Sequence, residues 1–345
     1  MIFLERLSLM LNAHRALHKI QALVCWLSLT LAVSLFTLGA QAQQQPAVFP
    51  SKLVRIIVPY APGGITDRLA RLVGQKLSLA WGQQVLVENR PGAATLLGTQ
   101  FVIKAAPDGH TLLWGGIANT VAPALFKDLP YDPVKDLAWV TNIIKVPLLL
   151  ATHPSLPVNN AQQLIMLAKR QPQLLVFATS GVGTSGHLAG ELLNTMANIR
   201  ILHIPYKGAA QAIIDTLSGQ VPIYFGAIAS PIQHVKTGRL RAIAVTSLKR
   251  LIATPEIPTL DEQGLRGFET ATWYGVAAPP ATPKEVVQKI NADIARITRL
   301  PEVRAGLEGE GAEFVGDSPD QVTAFVVGEI AKWAKVVKQA GVKPE

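Results

Sequence analysis

Cysteine is nearly missing from this 345-residue chain; the one present, Cys25, lies in an apolar run close to the N-terminus. Beyond residue 42 the chain can therefore hold neither a disulfide framework, nor a thiolate metal site, nor a cysteine nucleophile. Histidine is sparse too. His110, His153, His187, His203 and His234 fall in separate segments without metal-ligand spacing, so neither a metal nor another cofactor is expected. Charged residues make up only 16% of the chain. The net charge is +9, but lysine and arginine are scattered and no basic block interleaves with aromatics, which argues against nucleic acid. Internal repeats and low-complexity linkers are missing as well, so separate domains strung on linkers are not indicated. A single apolar run approaches the length needed to cross a bilayer.

That run, Ile20 to Leu38, follows Arg6, Arg15 and Lys19 and precedes Ala40-Gln41-Ala42 and the polar Gln43-Gln44-Gln45-Pro46. Basic, apolar and small residues in that order make residues 1–42 a secretory signal peptide with an A-x-A cleavage site. A retained membrane anchor is the alternative, because about 20 apolar residues can span a bilayer. Ala22-Leu23-Val24 does not offer the small residue that a lipoprotein site needs next to Cys25. Cleavage would leave 303 residues with 29 cations against 22 carboxylates, a net +7. A field of that sign favours anionic small molecules.

Downstream, strand and helix patterns alternate. Strands are expected over 54–58, 85–88, 111–114, 148–152, 175–178, 201–205, 223–225, 241–245 and 273–277. Helices are expected over 66–78, 97–105, 160–170, 187–196, 211–218 and 231–237. Three more helices close the chain, from 284, from Pro301 and over 320–340, with Thr282 and Ser318 as the expected caps of the first and last. Such alternation predicts an α/β fold with doubly wound, mostly parallel sheets, and ligands on such sheets sit beyond the carboxyl ends of the strands. The strand pattern restarts near Lys145-Val146-Pro147 and near Glu269 to Thr272. Those are the expected crossings between two interleaved lobes.

Two segments share one local design, an apolar strand, a glycine-rich turn carrying hydroxyls, and a helix. The first runs through Tyr60-Ala61-Pro62-Gly63-Gly64-Ile65-Thr66; the second runs through Ser180-Gly181-Val182-Gly183-Thr184-Ser185-Gly186. Each should aim backbone N–H groups and a helix N-terminus at an anion. Two such turns suggest capture of a small carboxylate. The second also satisfies G-x-G-x-x-G, a dinucleotide fingerprint, but Pro205-Tyr206-Lys207-Gly208 stands where a ribose-binding acid is needed. A nucleophile elbow fails as well: His187, not glycine, follows two after Ser185, and residues two apart on a helix point away from each other. His187 reads as a cap or core histidine.

The series Val58-Pro59-Tyr60-Ala61-Pro62-Gly63-Gly64-Ile65-Thr66-Asp67, Val87-Glu88-Asn89-Arg90-Pro91-Gly92-Ala93, Ala106-Pro107-Asp108-Gly109-His110-Thr111-Leu112, His187-Leu188-Ala189-Gly190-Glu191, Ile204-Pro205-Tyr206-Lys207-Gly208 and Pro258-Thr259-Leu260 resembles the Bug-type substrate-binding proteins. These are the extracytoplasmic receptors of tripartite tricarboxylate transporters. The resemblance covers the chain from about Ser51 onward. It implies a type II-like periplasmic-binding-protein fold of two lobes, 43–146 with 271–345 and 147–270, closing on a small organic acid without transforming it. The cleft would be lined by Tyr60 to Thr66, with Tyr60, Ala61, Gly63, Gly64 and Thr66 as contacts. A later loop would supply Ala118, Asn119 and Thr120, and the second lobe Ser180, Gly183, Thr184 and Ser185.

Two positions depart from the family pattern. Gly226 stands where many relatives carry an acid, and Val182 where they often carry asparagine. Both shade the expected ligand toward a less polar, even aromatic, carboxylate, with Tyr60 and Trp273 as stacking surfaces unless these rings belong to the core. The implied partners are the membrane subunits of such a transporter, met in the periplasm by a monomer. A sensor feeding a membrane histidine kinase and a periplasmic hydrolase are the alternatives, the latter without any nucleophile and base pair in the sequence.

Overall fold

The computed structural model describes residues 49–309 and 311–341, so the signal-peptide reading lies outside the described residues. The elements in chain order are β1 (Val54–Val58), α1 (Ile65–Trp81), β2 (Val85–Asn89), α2 (Leu96–Ile103), β3 (Thr111–Gly116), α3 (Ile117–Leu125), β4 (Ala138–Thr152), α4 (Ala161–Arg170), β5 (Val176–Thr179) and α5 (Ser185–Ala197). They continue with β6 (Leu202–Pro205), α6 (Ala209–Leu217), β7 (Ile223–Ala227), α7 (Ile232–Lys236), β8 (Arg241–Val245), β9 (Ala271–Ala278), α8 (Lys284–Ile297), α9 (Pro301–Gly309), β10 (Glu313–Phe314) and α10 (Pro319–Ala340).

Short apolar runs become strands covered on both faces, as in β1, where four of five residues are buried. The intervening segments become amphipathic helices. In α1 the buried Leu69, Ala70, Val73 and Leu77 form one stripe, and Gly82 at φ 62° ends the helix in the left-handed conformation. α10 opens with a capping box: Gln321 N–H donates to Ser318 Oγ at 3.3 Å, and Ser318 N–H donates to Gln321 Oε1 at 2.9 Å. Thr282 is not a cap. Its hydroxyl donates to the Pro279 carbonyl at 2.8 Å, and Pro283 occupies the cap position of α8.

The strands follow the order β2-β1-β3-β9-β4-β7-β5-β6. Pairing is parallel in the outer strands, β2-β1-β3 and β7-β5-β6, as the alternation of strand and helix requires. It is antiparallel wherever β4 and β9 take part, because β9 returns along the path that β4 takes outward. β4 runs 15 residues without a break, ten more than the expected 148–152. Its first part, Ala138 to Pro147, pairs with β9, and its second, Leu148 to Thr152, pairs with β7 and β8.

Partners change between Pro147 and Leu148, and the return falls at Thr270 and Ala271. A division into lobes at 146/147 and 270/271 is the one we propose from this switch. Thr246 sits at the junction, fully buried: its Oγ1 accepts the Leu148 N–H at 2.8 Å and donates to the Thr270 carbonyl at 2.6 Å. α10 lies over α3, α5 and β4, and so over both halves of the sheet.

Replacing Thr246 with valine keeps the shape but leaves a buried N–H and a buried carbonyl without their partner. Urea unfolding should show a loss of about 2 kcal/mol. An unchanged midpoint would mean that the junction does not depend on this hydroxyl.

Candidate functional site

The turn after β1 is shaped from outside by a carboxylate. Parallel register places Val58 beside Asn89, and the Asn89 amide donates to the Tyr60 carbonyl at 3.1 Å and to Asp67 Oδ1 at 2.9 Å. Asp67 Oδ2 accepts the Gly63 N–H at 3.0 Å and the Arg71 Nε–H at 3.1 Å. The Arg71 guanidinium, with the Gly63 and Asn89 donors, holds the Asp67 carboxyl down at about 2. Gly63 has φ 88°, a conformation that a side chain would strain. Its N–H is spent on Asp67 and is not free for a ligand. The open donors are those of Ile65 and Thr66, the first residues of α1, for which the helix supplies no carbonyl. Gly64 is exposed, and a side chain there would meet nothing within 4 Å.

The turn after β5 is braced by histidine. Gly183 N–H donates to His187 Nδ1 at 3.1 Å, so the proton of that neutral ring sits on Nε2. The ring stacks on His203 with centroids 4.0 Å apart, His203 stacks on Phe177 at 5.1 Å, and His203 Nε2 bonds Thr179 Oγ1 at 2.7 Å. Burial pulls His187 down to about 4 and His203 down to about 3, the neighbouring imidazole adding to the second shift. Thr184 Oγ1 donates to the Gly181 carbonyl at 2.8 Å, which tightens the turn and leaves its lone pairs as acceptors. Ser185 and Gly186, first in α5, carry the open N–H groups.

Both turns are tied to one strand. Ser185 Oγ bonds Thr272 Oγ1 at 2.5 Å, and Thr66 Oγ1 donates to the Tyr274 hydroxyl at 2.9 Å. Thr272 and Tyr274 are two apart on β9, so their side chains stand on one face, about 7 Å apart along the strand. The N-termini of α5 and α1 therefore approach the same face of β9. The half-buried Tyr60 completes the first wall: burial raises its pKa, and the nearby Tyr274 and Tyr131 hydroxyls add to the rise.

Other expected contacts fall elsewhere. Residues 117–120 are the first turn of α3, not a loop. Ala118 is half-buried, but Asn119 and Thr120 are fully buried. Asn119 Oδ1 accepts the Gly116 N–H, its amide donates to Thr99 Oγ1 and Tyr131 OH, and Thr120 Oγ1 donates to the Ile117 carbonyl. Neither has surface for a ligand.

Trp273 is core as well. It is 1% exposed and packed on Trp139 and Phe325, 5.5 Å and 5.2 Å between centroids, because it points to the opposite face from Thr272 and Tyr274. Gly226 is buried in β7, where a Cβ would collide with the Tyr224 hydroxyl, so Tyr224 fills the place of a side chain. Ala61 is exposed, and Ser180 is half-buried at the mouth of its turn, where its carbonyl accepts the Gly208 N–H. Thr272, Tyr274, Asp67 and Asn89 were missed; the period of two around Trp273 was the available signal for the first pair.

These buried groups set a pH dependence. His187 and His203 stay neutral in the folded chain but take up protons near 6.5 when it unfolds, so stability should fall as pH drops from about 6.5 to about 3. The depressed Asp67 adds a second fall from about 4 to about 2. In His203→Phe the first slope should flatten, measured as the thermal midpoint against pH. The same slope in both proteins would rule the imidazole pair out as its source.

Residues 69–342 match the family described as "Tripartite tricarboxylate transporter family receptor". Protein BugT of Bordetella pertussis is 33% identical over 315 residues, 91% of this chain and 97% of BugT. Among solved structures, Rpa4515 of R. palustris with adipate is 36% identical with a TM-score of 0.74, covering 86% of this chain and all of that one. MatC of Rhodopseudomonas palustris with bound malate is 31% identical with a TM-score of 0.71, covering 84% of this chain and all of that one. No helix among the described residues is long and apolar enough to cross a membrane. With this two-lobed α/β fold and these relatives, the chain belongs to the tripartite tricarboxylate transporter receptor family, a class of periplasmic solute-binding proteins.

Proposed function

We propose that this protein captures a small dicarboxylate between its lobes and delivers it to the membrane subunits of a tripartite tricarboxylate transporter. The observation that carries the reading is the approach of two helix N-termini to one face of β9 through Ser185–Thr272 and Thr66–Tyr274. One carboxylate is held by the N–H groups of Ile65 and Thr66 behind Gly64, the other by those of Ser185 and Gly186 beside Thr184. Two N-termini facing one strand suit a diacid, the class of the adipate and malate found with the two relatives. Tyr60 supplies a neutral hydroxyl and ring surface for the carbon chain, and the buried Tyr274 anchors Thr66 behind it. Residues 1–42 direct the chain to the periplasm, where a monomer opens and closes about β4 and β9. Ser185 bonds a threonine rather than a base, which leaves the cleft without an activated nucleophile.

Calorimetry with adipate and malate against their methyl esters tests the reading. The acids should bind one to one and the diesters at least tenfold more weakly, since esterification removes the charge that the helix ends attract. Gly64→Val should abolish binding without unfolding the chain, because the site has room but the ligand needs it. Thr184→Ala should cost about 0.5–1.5 kcal/mol if its hydroxyl meets the ligand. Esters that bind as well as acids, or a Gly64→Val variant of full affinity, would overturn the assignment.

A further inference from the structure

Away from the cleft, a cavity of about 700 Å³ opens between the segment after β8 and the C-terminal elements α9 and β10. Leu251 and Ile252 line one side; Arg299, Arg304, Leu307 and Phe314 line the other. No lining residue belongs to the turns at 60–66 or 180–186. Leu251 and Leu307 are buried and Phe314 is half-buried, while Ile252 stands 99% exposed at the rim. The volume is that of a small-molecule site.

Two arginines and two glutamates, Glu308 and Glu313, line the cavity, and Glu313 lies opposite Lys145 in the β10–β4 pairing. Arg304 has only a loose ion pair with Glu308, at 3.8 Å. Arg299 is exposed and has no side-chain hydrogen bond or ion pair among the described residues. An apolar floor beside an unengaged guanidinium fits a ligand with a hydrocarbon body and one anionic head, which a guanidinium can hold through two parallel hydrogen bonds.

We propose that this cavity is a second binding site, taking a medium-chain monocarboxylate with its tail on Leu251, Leu307 and Phe314 and its head on Arg299. Its walls come from segments on either side of the β4 and β9 crossings, so an occupant favours the arrangement that holds them at this separation.

Calorimetry on the purified protein with octanoate, and octylamine as the sign control, decides it. Octanoate should bind at one site, octylamine at least tenfold more weakly. Arg299→Glu should weaken octanoate at least tenfold, Ile252→Asp should weaken it several-fold, and Gly64→Val should leave it unchanged. Both rim residues are exposed, so circular dichroism should match the parent; Arg299→Gln replaces the glutamate variant if it does not. The proposal is overturned by absence of octanoate binding at millimolar concentration, by full affinity in the Arg299 variant, by equal binding of octylamine, or by loss of binding in Gly64→Val, which would place octanoate in the cleft.

Discussion

One antiparallel pairing, β4 against β9, carries the rest of this structure. Fifteen residues of β4 run through both halves of the sheet, and β9 returns beside it. A strand shared by two sheets cannot slip in one without turning its side chains over in the other. Thr246 locks the junction from within by bonding both crossing chains. Two remote turns can thus meet over the same strand face without any long loop between them.

In the proposed site each turn is shaped for an anion by groups that stand behind it. Asp67 takes the Gly63 N–H and stabilises the N-terminus of α1, while Arg71 offsets its charge. His187 does the same for Gly183, with a neutral ring that adds no charge near α5. In both places one glycine N–H is spent to fix the turn, and the donors of the following helix are left open. Preorganised donors are already ordered when the ligand arrives, so less of the binding energy goes into ordering the loop.

Most of the fold could be read from the chain because strand and helix alternate with clear apolar periods, and because Pro and Ser mark the last helix. The first ten residues of β4 escaped, since Trp139 to Ile144 is buried on both faces and shows no alternation to distinguish strand from other buried segments. The loop expected over 117–120 rests on the family resemblance alone, and the stretch is the first turn of α3. At the site, the two glycine-rich turns were legible, for they announce themselves by composition. Trp273 is core, while its neighbours Thr272 and Tyr274 on the other face of β9 hold the two turns, a difference of one residue that period two turns into the opposite face. The braces at Asp67 and His187 depend on contacts four residues back into a turn, which spacing alone does not reveal.

The most direct measurement is a crystal structure of the protein with adipate or malate. The account predicts one carboxylate within about 3 Å of the Ile65 and Thr66 nitrogens and the other within the same reach of the Ser185 and Gly186 nitrogens, with the carbon chain over Tyr60. A diacid bound with either helix N-terminus unengaged, or bound outside the face of β9 that carries Thr272 and Tyr274, would contradict it.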